Sequence, residues 1–328
     1  MPKVSVLLPV YNGEKYLAKA ISSILDQSFK DFELLILNDG STDGSVKVIE
    51  SFSDSRIRLY NNPTNLKLIA TLNMGLELAT GEYIARMDAD DINEITRFEK
   101  QVLFLDQNKD CVVVGSNYTA FGEESFVSNL NLEDKKIRIA IYFENPVAHP
   151  SVMMRASVIK SNNLVYRNEL LHMEDWGLWK DLLKHGQIIN LAESLISYRI
   201  TGQNISIINR ETIGQRYKLF FKIAIADLFD EVSSEMVDYH YQIASGIYTD
   251  SSLKSIKKYS KELRKKLISN SKQKVEVDAY LNRKLKKLFF SVADNSMSKG
   301  LFYLLKFRFF DITLYRYLFT PKFKKRSK

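Results

Sequence analysis

Three carboxylates follow a short apolar segment in the N-terminal third of the chain. Asp88, Asp90 and Asp91 come directly after residues 83–87. In an extended segment alternate side chains point to the same side, so Asp88 and Asp90 are expected to face together. Carboxylate oxygens are ligands that hard divalent cations prefer. The spacing predicts a metal site at a strand end, and the alternative is a solvated acidic turn that caps the next helix.

The composition indicates a globular protein of one or two domains. The chain has 328 residues, of which 45% are hydrophobic and 12% aromatic, enough for a packed core. The single cysteine, Cys111, excludes an internal disulfide or a cysteine-based zinc cluster, and it opens an apolar run typical of a buried strand. No signal peptide is expected before the first strand, and no uncharged apolar run reaches the roughly 18 residues of a spanning helix. We therefore expect a cytoplasmic protein.

Strand-like and helix-like segments alternate through the first 90 residues. Four short apolar segments are predicted strands: residues 4–8, 32–37, 56–60 and 83–87. Three segments between them have the helical period: residues 14–25, 42–52 and 68–79. This alternation predicts βαβ units with a parallel sheet covered by helices on both faces. Ligands of such sheets bind outside the carboxyl ends of the strands.

Polar and aromatic side chains follow three of these strands and are expected to meet at one rim. They are Pro9, Tyr11 and Asn12 after the first strand, Asn38 and Asp39 after the second, and Asp88 and Asp90 after the fourth. An aromatic ring can cover a planar base, a carboxylate can accept from its imide N–H, and paired carboxylates can hold a cation against a diphosphate. No glycine-rich phosphate loop is present, so a metal is expected to do that task. Taken singly, Tyr11 could be a packing residue and Asp39 a turn residue.

Four segments together resemble the signature motifs of the family 2 glycosyltransferases, which have the GT-A fold. They are residues 9–14, 38–43, 81–91 and 173–176. The resemblance covers about residues 3–206 and implies a Rossmann-like, mainly parallel sheet flanked by helices. It predicts a catalytic domain at residues 1–206, followed by a helical region at residues 207–328.

The resemblance also implies roles for individual residues. Seven would bind the nucleotide, usually uridine in the family: Pro9, Tyr11, Asn12, Glu14, Asp39, Asn65 and Asp88. Asp88 would contact the ribose, and Asp90 with Asp88 would hold a divalent metal ion, Mn²⁺ or Mg²⁺. The Glu174-Asp175 pair would supply the catalytic base, and the resemblance assigns that role to Asp175.

The sequence departs from the family pattern at two positions. Lys67 stands where related sequences often have glycine, and its side chain could alter the loop or reach the diphosphate. Thr201 stands where a histidine often reaches the metal or diphosphate, which leaves Arg199 as the nearby candidate for phosphate contact.

The second half of the core is expected to form the acceptor side. His149 lies between prolines and resembles a family segment that lines the acceptor cleft, although a lone histidine is more often structural. Glu174 and Asp175 begin a helical pattern that continues with Trp176, and a helix N-terminus would keep Asp175 ionised as a base. Asp175 would take the proton of an acceptor hydroxyl as it attacks the anomeric carbon, and one displacement inverts the configuration.

The C-terminal region is strongly basic. Residues 282–328 contain 13 Lys or Arg against Asp294 and Asp311, whereas the net charge of the whole chain is +8. Basic residues interleaved with aromatics at residues 301–319 could serve an anionic membrane surface, nucleic acid or a homo-oligomer contact. Because many family members act on lipid-linked acceptors, the resemblance favours the membrane surface, on the inner face of the cell membrane.

The function implied by the resemblance is inverting transfer from a nucleoside-diphosphate sugar, a UDP-sugar above all, to a glycan. A lipid-linked oligosaccharide of surface polysaccharide synthesis is the expected acceptor. Two other classes remain open on the residues alone: a metal-dependent nucleotidyltransferase and a non-enzymatic basic nucleic-acid-binding protein. The first usually needs a glycine-rich basic loop for a triphosphate, and the second would place its basic residues among the motifs. Neither is found here, and no nucleic acid is expected as a partner.

Overall fold

The computed structural model describes residues 1–130, 132–201, 210–249 and 251–295, and only the backbone of residues 210–213 and 293–295. The chain divides into two compact units, Met1–Phe220 and Phe221–Lys328. The predicted domain boundary at residue 206 falls outside the described residues and stays a prediction.

Unit 1 contains a mixed β-sheet with helices on its faces. Its described strands are β1 Val4–Val10, β2 Phe32–Asn38, β3 Ile57–Asn61, β4 Tyr83–Arg86, β5 Ile92–Asn93, β6 Cys111–Gly122, β7 Phe126–Val127, β8 Met153–Arg155 and β9 Gln187–Ile200. The first seven described α-helices are α1 Glu14–Leu25, α2 Ser45–Glu50, α3 Leu68–Leu78, α4 Arg97–Gln107, α5 Asp134–Ala140, α6 Ala156–Ser161 and α7 Glu174–Leu182. Single 3₁₀ turns lie at His149–Ser151 and Asn168–Leu170.

The strand order is β3-β2-β1-β4-β8-β6-β9-β5, with β7 paired to β6. The first four strands are parallel, as the alternating pattern predicts, and their carboxyl ends share one rim. Beyond β4 the direction changes, because β8 pairs antiparallel with both β4 and β6. The predicted α/β fold class is therefore confirmed, with a parallel N-terminal half and a mixed C-terminal half.

Burial of apolar side chains explains why these segments form strands and helices. Every residue of β2 is buried, and α1 buries Leu17, Ala20, Ile21 and Ile24 on one face of its amphipathic helix. Pro9 lies inside β1, yet the last β1 residue paired to β4 is Leu7. Its missing N–H therefore removes no ladder bond on that side.

The described part of unit 2 is helical, as the pattern after residue 206 predicts. After α8 at Arg210–Ile225, the helices are α9 Ser234–Ser245, α10 Leu253–Ser271 and α11 Lys274–Asn295. A buried histidine joins two of them, since His240 Nδ1 lies 2.8 Å from the Tyr259 hydroxyl. The predicted contact segment at residues 301–319 lies outside the described residues. Among the helices that are described, none has the length and apolar character needed to cross a bilayer.

Candidate active site

The three aspartates of the predicted metal motif lie together beyond the end of β4. One carboxylate oxygen from each of Asp88, Asp90 and Asp91 lies within 4.8 Å of the other two. Asp91, which the sequence pattern does not single out as a ligand, is only 1% exposed. Its Oδ2 has no hydrogen-bond partner in the described part of the chain. The strand end thus presents three carboxylates instead of the expected two.

The charge of this cluster is poorly balanced by the protein. Burial raises the pKa of Asp90 to about 6, and repulsion from Asp88 adds to the shift. Burial, then Asp88 and Asp90, also hold the pKa of Asp91 well above its usual range. A hard divalent cation would relieve both the repulsion and the unpartnered oxygen. The residues present therefore fit such an ion.

Arg86 is the direct cationic neighbour of the cluster. Its Nη1 donates to Asp88 Oδ2 over 2.5 Å, and the side chain is 3% exposed. Its Nε has no hydrogen-bond partner among the described residues. The same guanidinium lowers the pKa values of Glu174 and Asp175 against the larger effect of burial. The positive charge of Arg86 therefore acts on the second acidic pair as well as on Asp88.

A second buried arginine holds the strand end in place. Arg97 on α4 is completely buried, and its Nη2 donates to the backbone carbonyls of Arg86 and Val152. Its Nη1 donates to Asn93 Oδ1 over 2.6 Å. Burial, with repulsion from Arg86, lowers the pKa of Arg97 to about 9. This positioning residue was missed because its acceptors are carbonyls from β4 and the β8 approach, which no local pattern of α4 indicates.

Arg199 braces the loop that carries the aspartates. Its backbone N–H donates to Asp91 Oδ1, and its Nε donates to the carbonyl of Asp90. The guanidinium lies over the rings of Tyr16 and Phe121, at 4.1 and 4.4 Å from their centroids. These contacts fix the aspartate loop against β9. The predicted phosphate contact of Arg199 stays a prediction.

Asp39 organises the loop that follows β3. Its Oδ1 accepts from Asn62 Nδ2 and the backbone N–H of Leu66, and its Oδ2 accepts from the backbone N–H of Lys67. Lys67 has φ 75° and ψ 159°, a backbone conformation that favours glycine. Asp39 is 4% exposed, and a carboxylate has about four acceptor sites, so one remains on Oδ2. Asn65 belongs to the same loop, since its Oδ1 also accepts from the Lys67 N–H.

Asn12 and Glu14 join the loops after β1 and β2. Asn12 Oδ1 accepts from the Thr42 N–H, and Glu14 Oε2 accepts from the Gly44 N–H. Both side chains thus have partners within the protein, which makes them supports of the rim before any ligand is considered. The Tyr11 ring beside them is 52% exposed. It is the side chain of this loop that can cover a flat ligand.

Glu174 and Asp175 begin α7, as predicted, but they are in different surroundings. Asp175 Oδ2 accepts from Asn145 Nδ2, and Oδ1 accepts from the Trp176 N–H, each over 2.7 Å. Glu174 is 6% exposed, its Oε2 has no partner in the described residues, and burial raises its pKa to about 7. Burial also raises the pKa of Asp175, so desolvation outweighs the helix N-terminus that was expected to dominate.

Two residues assigned to the acceptor or phosphate side are packed inside the protein instead. Trp176 is 1% exposed, donates from Nε1 to the Ile141 carbonyl and stacks on Phe220. His149 is buried with its Nε2 3.0 Å from the Tyr166 hydroxyl, and burial holds its pKa well below its usual value. The acceptor-side roles of Trp176 and His149 therefore stay predictions. Their polar atoms find partners in the core, so burial costs little.

The fold can be compared with solved structures. The N-terminal part of TarS from S. aureus, in complex with UDP-GlcNAc, matches with a TM-score of 0.61 and 17% sequence identity. The match covers 89% of this chain and 91% of that one. This likeness shows the GT-A fold that the sequence motifs imply.

Sequence comparison gives the family. The family described as "Glycosyl transferase family 2" matches residues 5–161. An uncharacterized glycosyltransferase of Haemophilus influenzae is 34% identical over 228 residues, which cover 64% of this chain and 69% of the relative. The Escherichia coli enzyme WfgD, a UDP-Glc:alpha-D-GlcNAc-diphosphoundecaprenol beta-1,3-glucosyltransferase, is 29% identical over 205 residues, covering 62% of this chain and 79% of the relative. The chain belongs to the family 2 glycosyltransferases.

Proposed function

We propose that this glycosyltransferase transfers a sugar from a UDP-sugar to a lipid-linked glycan with inversion, assisted by a divalent metal ion. The observation that carries the proposal is the cluster of three carboxylates beyond the end of β4, beside the buried guanidinium of Arg86. Asp88 pairs directly with Arg86, and the charge of Arg86 also acts on Asp175. The aspartate cluster suits the donor diphosphate and its ion, and the Glu174–Asp175 pair suits the acceptor hydroxyl.

The donor side follows from the rim of β1 and β2. Asp39 retains an acceptor site on Oδ2 for the imide N–H of uracil, and the exposed Tyr11 ring can cover the base. Asn12 and Glu14 shape this loop after Pro9 in β1, and Asn65 shapes the one that closes on Asp39. The names of TarS in complex with UDP-GlcNAc and of WfgD, which uses UDP-Glc, support a uridine donor.

Asp90, Asp88 and Asp91 would hold the divalent ion, Mn²⁺ or Mg²⁺. The bound ion would neutralise charge on the departing diphosphate. Arg86 keeps Asp88 fixed, and Arg199 holds the Asp91 carboxylate through its backbone N–H and the Asp90 carbonyl through its Nε. These contacts would hold the three aspartates in place for the ion.

The acceptor side depends on Asp175. Its carboxylate takes the proton from the acceptor hydroxyl while the new bond forms between that oxygen and the anomeric carbon. The bond from the anomeric carbon to the diphosphate oxygen breaks in the same displacement, so the configuration inverts. Asn145 holds one carboxylate oxygen in place, and Arg86 favours its ionised form against burial.

A lipid-linked acceptor would place the reaction at the inner face of the cell membrane. The printed name of WfgD includes a diphosphoundecaprenol acceptor, which supports this class. The basic C-terminal region would contact that membrane surface, and a homo-oligomer contact is the alternative use of this region.

The test is nucleoside diphosphate release from a panel of UDP-, GDP- and dTDP-sugars, with Mn²⁺, Mg²⁺ or EDTA. We expect slow release from one UDP-sugar with metal, and faster release when a lipid-diphosphate glycan acceptor is added. Release from a GDP- or dTDP-sugar alone would reject the uridine assignment. Full activity in EDTA would reject the metal, and an α-configured product from an α-linked donor would reject inversion.

A further inference from the structure

Helix α10 in unit 2 has an unusual charge pattern for a helix with one buried face. Its 19 residues include seven Lys or Arg and one acidic residue, Glu262. The apolar face buries Leu253, Ile256, Leu263 and Leu267 within unit 2. The opposite face is therefore the one on which the charge is concentrated.

Four of these lysines form a straight row, which we call the α10 lysine row. Lys254, Lys258, Lys261 and Lys265 are separated by four, three and four positions, so they share one side of the helix. All four are exposed. Eleven residues of helix place the first and last about 16 Å apart along the axis. Within the described part of the chain none of the four forms a hydrogen bond or ion pair.

Other basic residues of α10 contact neighbouring groups instead. Arg264 lies 3.5 Å from Asp278 and donates to Asn282, and the Lys266 ammonium lies over the Phe229 ring. No described side chain makes such a contact with the row, although Glu262 lies four positions after Lys258 on the same helix. Like charges three or four positions apart on a helix repel each other and destabilise it. The arrangement is unfavourable within the chain, so an external anion is the natural partner.

We propose that the α10 lysine row docks the protein on an anionic phospholipid surface. A planar array of headgroup phosphates can meet all four ammonium groups at once, and each lysine near such a surface strengthens binding by roughly fivefold. Nucleic acid is disfavoured because the exposed side of α10 carries no aromatic ring for base stacking and no arginine in the row. The inference rests on the proposed function in one respect: a lipid-linked acceptor would lie at such a surface.

The experiment measures binding of the full chain to vesicles, without donor or acceptor, so its outcome is independent of activity. Vesicles of phosphatidylcholine alone are compared with vesicles that also contain phosphatidylglycerol. The test variant changes Lys254, Lys258, Lys261 and Lys265 to Gln. A matched control changes Lys19, Lys30, Lys47 and Lys109, which are exposed in unit 1, to Gln and has the same net charge. A second control changes the four row lysines to Arg.

We expect binding only to the anionic vesicles, weakened by salt, and lowered on the order of a hundredfold or more in the row-to-Gln variant. The scattered control and the row-to-Arg variant should bind nearly as well as the wild type. Circular dichroism and the melting temperature show that the variants are folded. Equal binding of the row-to-Gln variant and the wild type would overturn the proposal, because the basic residues beyond 295 would then carry the interaction. Binding to duplex RNA but to neither vesicle would also overturn it.

Discussion

Arg86 Nη1 lies 2.5 Å from Asp88 Oδ2, and the guanidinium that forms this pair is almost completely buried. Arg86 ends β4, and Asp88 begins the aspartate cluster two residues later. Arg86 pairs directly with Asp88, and its charge also favours the ionised forms of Glu174 and Asp175 on α7. One guanidinium therefore acts on both acidic groups of the site.

Replacing Arg86 should destabilise the protein. Arg86→Met leaves Asp88 without its cation beside two other carboxylates, and because Asp88 is 30% exposed we expect a cost of about 1–3 kcal/mol, below that of a fully buried pair. Combining Arg86→Met with Asp88→Asn should recover much of that free energy of unfolding, and Arg86→Lys should be milder. Urea denaturation without metal measures all three. Lys136→Met, which breaks the exposed Lys136–Glu133 pair, should cost less than about 1 kcal/mol. An equally small cost for Arg86→Met would show that the pair does not hold the site.

Asp90→Asn should abolish transfer and metal-dependent UDP binding without unfolding the chain, and Asp88→Asn should be a weaker version. Removing the Asp90 charge from a repelling cluster does not destabilise it, but it removes a metal ligand. Asp88→Asn also removes the ion pair of the buried Arg86, so it should lower stability more than Asp90→Asn does. Calorimetric titration of UDP with Mn²⁺ and with EDTA measures the effect. Asp110→Asn, an exposed position outside the motif, is the matched control. Near-normal metal-dependent binding by Asp90→Asn would remove this residue from the ligand set.

Local pattern was enough to predict the N-terminal half of the sheet. Helix α1 has its predicted bounds, and the parallel order of β1 to β4 follows from right-handed βαβ connections. The rule for strand ends brought Asp39 and Asp90 to one rim. Pairing beyond β4 was not predictable in the same way, because β8 is only three residues long and pairs with strands distant in sequence.

Side-chain environments were harder to predict than positions. The burial of Trp176 and His149 could not be predicted from the sequence, because it depends on contacts with Phe220 and Tyr166 from separate elements. Arg86 belongs to the motif at residues 81–91 but had no role assigned from the sequence. Its burial becomes visible only when β8 lies beside β4. The α10 lysine row, by contrast, could have been read from its spacing alone.

Asp39→Ala should weaken UDP binding by roughly 5- to 150-fold, because a hydrogen bond to a buried group is worth on the order of 1–3 kcal/mol. The loss should be the same for every uridine donor. Asn62→Ala is the control, since it removes one donor to Asp39 but leaves the carboxylate. It should disturb the loop and have a smaller effect on UDP. Unchanged UDP affinity in Asp39→Ala by calorimetry would leave Asp39 as a loop residue only.

Glu174→Gln should stabilise the protein at alkaline pH. Burial raises the pKa of Glu174 in the folded state to about 7, so the folded state binds its proton more tightly than the unfolded state. The ionised form therefore costs stability, from zero below about pH 4.5 to about 3 kcal/mol above pH 7. The gain in Glu174→Gln should follow that window in urea denaturation. Glu50→Gln, at an exposed position, should show no such pH dependence. A pH-independent gain would contradict the assigned pKa.

The most direct test of the proposed mechanism is the turnover number and UDP affinity of Asp175→Asn, measured with the same protein sample. The substitution keeps the size of the side chain but cannot accept a proton. We predict a turnover number lower by about 10²- to 10⁴-fold and an unchanged dissociation constant for UDP with metal. Turnover close to that of the wild type, or loss of UDP binding together with rate, would contradict the account and move the base to Glu174.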